Sequence, residues 1–213
     1  MSAVTIDTIE IADPPEAWQS AGFTVDDTGT CVVGHVRLRL VGRDSERKRI
    51  QSWSLRGVPD GTESVDGLTT TVSDEAMPEP VAHANGVELI DHLVIMSPDV
   101  DRTITALNTA GLPTLRTRHV DREQYGFEAR QTFFRLGEVV LELIGPNQPQ
   151  GDGPAAFFGL AYTVRDIDAL PEYYGEHLGR VKDAVQPGRR ITTLHHKDLG
   201  ISVATAFMSP EPA

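Results

Sequence analysis

From Gly86 onward the chain changes its hydrophobic period and then repeats the change. Val87-Glu88-Leu89-Ile90-Asp91-His92-Leu93-Val94-Ile95 is rich in β-branched residues and predicts a strand. The spacing of Val100, Ile104 and Leu107 predicts a helix, with Ser97 as its cap, Pro98 in its first position and Gly111 at its close. One strand around Leu115 to Arg118 follows. Past a loop containing Gly126, Ala129 to Arg135 and Glu138 to Ile144 predict two more, joined by a tight turn at Leu136-Gly137 and stopped by Gly145-Pro146. The order is βαβββ.

The same order restarts after a polar linker, Asn147 to Pro154. Phe157 to Val164 reads as strand, Asp166 to roughly Leu178 as helix, Val181 to Val185 as a short strand, then Arg190 to Leu194 and Ile201 to Phe207 as a pair. Pro171 tolerates only a first turn, which moves the expected start of regular helix toward Leu170. The amino-terminal third reads as a shortened copy: Val4 to Ile11, a short helix opening at Asp13-Pro14 and closing at Gly22, then Phe23 to Val25, Cys31 to Val33 and Val36 to Val41. Gly34 to Gly42 repeats the alternation and the terminal glycines of Gly137 to Gly145. Ile50 to Val58 and Leu68 to Val72 predict strands with no helix between them, and Ser73 to Asn85 reads as a linker.

The expected fold class is therefore α+β, with repeated βαβββ modules in curved, mostly antiparallel sheets. The expected division is a shortened half at 1–80 and a two-module domain at 81–213, with modules at about 87–146 and 155–209.

Composition narrows the function classes. The chain has 213 residues, 39% hydrophobic and 23% charged, enough to bury a core. Its 31 acidic and 19 basic residues leave a net charge of -12, which disfavours nucleic acid and anionic membranes as partners. The amino terminus lacks a basic segment followed by an apolar run, and no apolar stretch is long enough to span a bilayer, so a cytoplasmic location is expected. The single cysteine, Cys31, lies in the apolar stretch Thr30 to Val33 and reads as a buried, inert thiol. No phosphate loop, nucleophile elbow or cysteine zinc cluster occurs.

The run Ile90 to Ile95, the helix after Pro98-Asp99-Val100, and Phe133 to Pro146 resemble the vicinal oxygen chelate superfamily, which includes glyoxalases, extradiol dioxygenases, epimerases and antibiotic-binding resistance proteins. Gln186 to Arg190 and Ala206 to Pro210 look like those of actinobacterial members. The resemblance covers Val87 to about Ser209. It implies modules curled into a cup and a divalent metal (zinc, nickel, manganese or iron) held by the first and last strands of each module, with no organic cofactor. On that resemblance His92 and Glu142 match the metal ligands of one module, and Glu142 also matches a proton-moving carboxylate.

The second module departs from the pattern. Gly159 stands at its first ligand position, and Ile201 to Phe207 carries no acid. The amino-terminal unit has Thr8 and Arg39 at the two positions. Gln131, Arg190 and His195 are candidate contacts to a bound ligand, Arg130 and Gln131 lying on opposite strand faces. His35, His83, His119 and His177 read as surface or capping residues, and Trp53 as core or pocket wall. Two function classes stay open: a metal-dependent lyase, isomerase or dioxygenase acting on a small oxygen-rich molecule, and a non-catalytic binding protein that holds such a molecule without metal. Either works as a monomer or a homodimer.

Overall fold

The computed structural model describes residues 3–44, 46–121, 126 and 128–212. The elements in chain order are β1 (Thr5–Ile11), α1 (Pro15–Ser20), β2 (Thr30–Val33), β3 (Val36–Leu40), β4 (Ile50–Arg56), β5 (Ser64–Val65), β6 (Leu68–Val72), β7 (Val87–Met96), α2 (Val100–Thr109), β8 (Thr114–Val120), β9 (Ala129–Leu136), β10 (Val139–Pro146), β11 (Ala156–Val164), α3 (Leu170–Tyr174), β12 (Lys182–Asp183), β13 (Arg190–Thr193) and β14 (Ala204–Met208). Strands dominate, helices are few and the sheets are mixed, which is the expected α+β class. Most of the loop expected around Gly126 lies outside the described residues.

The chain divides into two compact units. The first holds the chain up to Thr8, Ser52–Ala76 and His92–Phe158. The second holds Ile9–Gln51, Met77–Asp91 and the chain from Gly159 onward.

In the first unit β7, β10, β9 and β8 lie side by side in that order. β10 runs parallel to β7 and antiparallel to β9, and β8 runs antiparallel to β9. Alternation sends Leu93 and Ile95 of β7 and Leu141 and Leu143 of β10 to one face, all fully buried. Helix α2 lies close to β10: a Cβ on Gly145 would overlap the Ser97 carbonyl oxygen and come 2.6 Å from Val100 Cγ2. Its cap is Asp99, whose carboxylate accepts from the Arg102 N–H. Ser97, the expected cap, instead accepts from the Asp99 N–H and meets the Thr103 hydroxyl.

Also in this unit, Asp66 and Gly67 make the two-residue turn between β5 and β6, both with positive φ. Asp66 then pairs with Arg102 at 2.6 Å and accepts from Thr103. Trp53 is core, its Nε1 donating to Thr70 Oγ1 at 2.7 Å.

In the second unit β2, β3 and β1 are neighbours, as are β12, β13, β14 and β11. The β2–β3 turn places Gly34 at positive φ just as Gly137 stands between β9 and β10, so the repeat read from sequence is a repeated hairpin. Phe23 to Val25 is not a strand. Phe23 packs its ring on Trp18 and Tyr162, and the Thr24 N–H goes to His83 Nδ1 instead of a ladder. His83 is thus buried, its two ring nitrogens held by the Thr24 N–H and the Val32 carbonyl, and is not a surface residue.

The last strand starts at Ala204 rather than Ile201, because buried Asp13 accepts the Ser202 N–H while also binding Arg43 and the Trp18 indole. Regular helix begins at Leu170, and after Tyr174 the chain tightens into a 3-10 turn, Gly175–His177.

Candidate functional site

The register of the four strands in the first unit builds one polar face. Directly opposed residues put His92, Val140 and Arg135 in one transverse row. Val94, Glu142, Phe133 and Arg116 form the next, and Met96, Ile144, Gln131 and Arg118 the third. The opposite face is the apolar one against α2, so one sheet separates a packed side from a side that carries chemistry.

Four side chains on this face are linked. Arg118 Nε donates to Gln131 Oε1, and Gln131 Nε2 donates to Glu142 Oε1 at 2.6 Å. The second carboxylate oxygen of Glu142 lies 3.5 Å from His92 Nε2. The direction of the chain follows from chemistry. A guanidinium only donates and a carboxylate only accepts, so the Gln131 amide must turn its oxygen to Arg118 and its nitrogen to Glu142. Glu142 is buried at 8% exposure and Gln131 at 1%, and the Gln131 hydrogen bond offsets part of the cost of desolvating the carboxylate. Arg130 lies on the opposite face and pairs with Asp101 of α2, so of the two neighbours only Gln131 serves the polar face.

Residues 91–193 match the glyoxalase/bleomycin resistance protein/dioxygenase superfamily. The match spans just under half of the chain and assigns that stretch to the superfamily. A variant of 4-hydroxymandelate synthase from Streptomyces coelicolor shares its fold, with a TM-score of 0.67 at 14% identity over 100% of this chain and 94% of that one. A xylose isomerase-like TIM barrel/4-hydroxyphenylpyruvate dioxygenase fusion protein gives a TM-score of 0.62 at 10% identity, and this chain covers 49% of it. Methylmalonyl-CoA epimerase from Mycobacterium tuberculosis is 20% identical over 60% of this chain and 91% of that one, with a TM-score of 0.47. No curated protein matches the chain.

The donor set of this face decides whether it fits a metal. His92 and Glu142 come together as two donors. Gln131 offers its amide nitrogen to Glu142 and its oxygen to Arg118, so it is not a third. Among the described residues no group of three or more His, Cys, Asp or Glu side chains could hold an ion. The second module adds a steric reason. Gly159 pairs with Ala204, and a Cβ at Gly159 would overlap the Ala204 carbonyl oxygen and stand 2.9 Å from the Ala204 Cβ. A ligating side chain does not fit there. Two donors fall short of the three that a catalytic metal site uses, and no chemical step is derived through an ion.

Arg190 and His195 belong to the second unit. Arg190 makes a two-pronged pair with Asp168, both contacts 2.7 Å, and His195 Nδ1 lies 2.9 Å from the Glu176 carbonyl oxygen. Sequence reading missed Arg116, Arg118 and Phe133 as members of the polar face. Their signal was the one-residue alternation Arg116-Thr117-Arg118, legible only once the partner strand is known. It also missed Arg189, buried at 5% exposure and paired with Asp91 at 2.5 Å. Among the described residues no helix is long and apolar enough to cross a membrane.

Proposed function

We propose that this chain binds a small oxygen-rich molecule on the β7–β10–β9–β8 face, with His92, Gln131 and Glu142 as its polar contacts and no resident metal. The observation that carries the reading is the buried Gln131–Glu142 hydrogen bond beside His92, three polar groups held in fixed orientation on a face whose other members are largely apolar or basic. The Glu142 oxygen turned toward His92 can accept a ligand hydroxyl, and the imidazole can donate to or accept from an adjacent oxygen. The superfamily match over residues 91–193 supports a small-molecule role.

A second reading is a metal-dependent lyase, isomerase or dioxygenase with Glu142 as proton acceptor. It is favoured by the 3.5 Å approach of His92 Nε2 to Glu142 Oε2, a spacing one ion could bridge with further ligands from solvent or substrate. In either reading Arg190 and His195 are proposed ligand contacts, residues 1–80 a shortened glyoxalase-like half beside the two modules of 81–213, and the protein a cytoplasmic monomer or homodimer.

The test is elemental mass spectrometry on untagged protein, before and after incubation with divalent ions, beside calorimetric titration with catechol as a probe bearing two adjacent hydroxyls. Folded His92→Ala and Glu142→Ala variants serve as controls. Catechol binding by metal-free parent that the variants lose supports the first reading. Near-stoichiometric metal in the parent, absent from the variants, supports the second. Binding unchanged in both variants, with no metal, overturns both.

A further inference from the structure

The same sheet face carries more positive charge than the rest of this acidic chain would predict. The chain has 31 acidic residues against 19 basic ones, and several arginines elsewhere meet carboxylates: Arg43 with Asp13, Arg56 with Asp7, Arg102 with Asp66, Arg130 with Asp101, Arg189 with Asp91 and Arg190 with Asp168. Arg116 and Arg118 are set apart by a shared aromatic partner. Both lie over one aromatic ring, with the Arg116 Cζ 4.6 Å and the Arg118 Cζ 5.6 Å from the Phe133 centroid. Among the described residues neither has a carboxylate within salt-bridge distance, and Arg118 spends one donor on the neutral Gln131 amide. Arg135 stands on the same face, in the row of His92.

Two guanidiniums on one ring repel each other. The ring face offsets part of that through cation–π attraction and holds both planes in place, leaving their outer N–H groups as a preformed fork. Such a fork matches an oxyanion, and charge-assisted hydrogen bonds to it are about twice as strong as neutral ones. Gln131 joins Arg118 to Glu142, and Glu142 stands in the Arg116 row with His92 in the next, so an anion held by Arg116 and Arg118 has the remainder of its molecule on the side of Glu142 and His92.

We infer that Arg116 and Arg118, stacked on Phe133, are the anchor for an anionic group, carboxylate or phosphate, of the molecule bound on this face. The inference rests on the proposed binding role of that face and gives its ligand a charge class: a small oxygen-rich anion rather than a neutral polyol.

The experiment is calorimetric titration of the full chain, at fixed chloride concentration, with malonate, inorganic phosphate and neutral malonamide. Parent, Arg116→Gln, Arg118→Gln and the charge-keeping Arg116→Lys are compared, with circular dichroism as the check on folding. Expected is binding of malonate or phosphate but not of malonamide, weakened roughly tenfold or more in either glutamine variant. Arg116→Lys retains part of it. Whichever of malonate and phosphate binds more tightly distinguishes a carboxylate from a phosphate ligand. Failure of both anions to bind the parent, or equal binding by parent and glutamine variants, overturns the anchor. Catechol titration reads the His92–Glu142 site separately, so loss of the anchor with catechol binding intact leaves the proposed function standing.

Discussion

Gln131 and Glu142, eleven residues apart and on adjacent antiparallel strands, share a 2.6 Å hydrogen bond that stands diagonally across the register. Phe133 is opposite Glu142 and Ile144 opposite Gln131, so the pair joins two transverse rows of the sheet rather than lying in one.

The coupling between them is measurable. A double-mutant cycle with Gln131→Leu and Glu142→Leu, read by urea denaturation, should return an interaction of about 1.5–3 kcal/mol, the range for a hydrogen bond to a charged group. A coupling near zero would mean that the carboxylate draws its stabilisation from elsewhere.

Replacing Gly159 by His places a metal-type ligand at the position where superfamily resemblance expects one. The steric conflict with Ala204 predicts a loss of about 1–3 kcal/mol in stability and no gain in metal content. Thermal melting and elemental mass spectrometry check both parts, and stoichiometric metal in this variant would refute the claim that the position is closed.

Acid should loosen the second unit through His83. Burial lowers its pKa below the ordinary 6.5, against the smaller raising effect of the Val32 carbonyl. Nδ1 accepts from the Thr24 N–H, so protonation would set two donors against each other. The unfolded ring takes up a proton below about pH 6.5 that the folded ring resists, so this contribution to stability is full above that pH and is lost as pH falls. A melting temperature that drops between pH 7 and 5 in the parent, and drops less in His83→Gln, is the expected result.

Cys31 should be silent toward thiol reagents in the folded chain. Burial first, and the charge of Asp26 second, push its thiol up to about 12. At neutral pH an aromatic disulfide reagent should label it only after denaturant is added. Between its ordinary 9.0 and about 12 the unfolded thiol ionises while the folded one does not, so stability falls as pH rises through that window. Labelling at the rate of a free thiol under native conditions would contradict the burial.

The alternation of β7 and β10 and the periodicity of α2 were legible in the chain, because strand and helix periods are local properties that two or three turns of sequence display. His92 and Glu142 were legible as a pair through resemblance, and Gln131 as one of two neighbours on opposite faces. The Phe23 to Val25 stretch was misread as strand because His83, which takes the Thr24 amide, is 59 residues away in sequence.

Sequence alone therefore determined most of the element types, the βαβββ repeat, the acidic balance and His92, Glu142 and Gln131 as candidates. Tertiary structure decided which of them meet. Strand register set Arg116 and Arg118 over Phe133 and turned Gln131 toward Glu142, and close packing against Ala204 closed the position at Gly159. Register depends on pairing between strands distant in the chain, and steric closure on atoms supplied by another strand, so neither is written in any local run of residues.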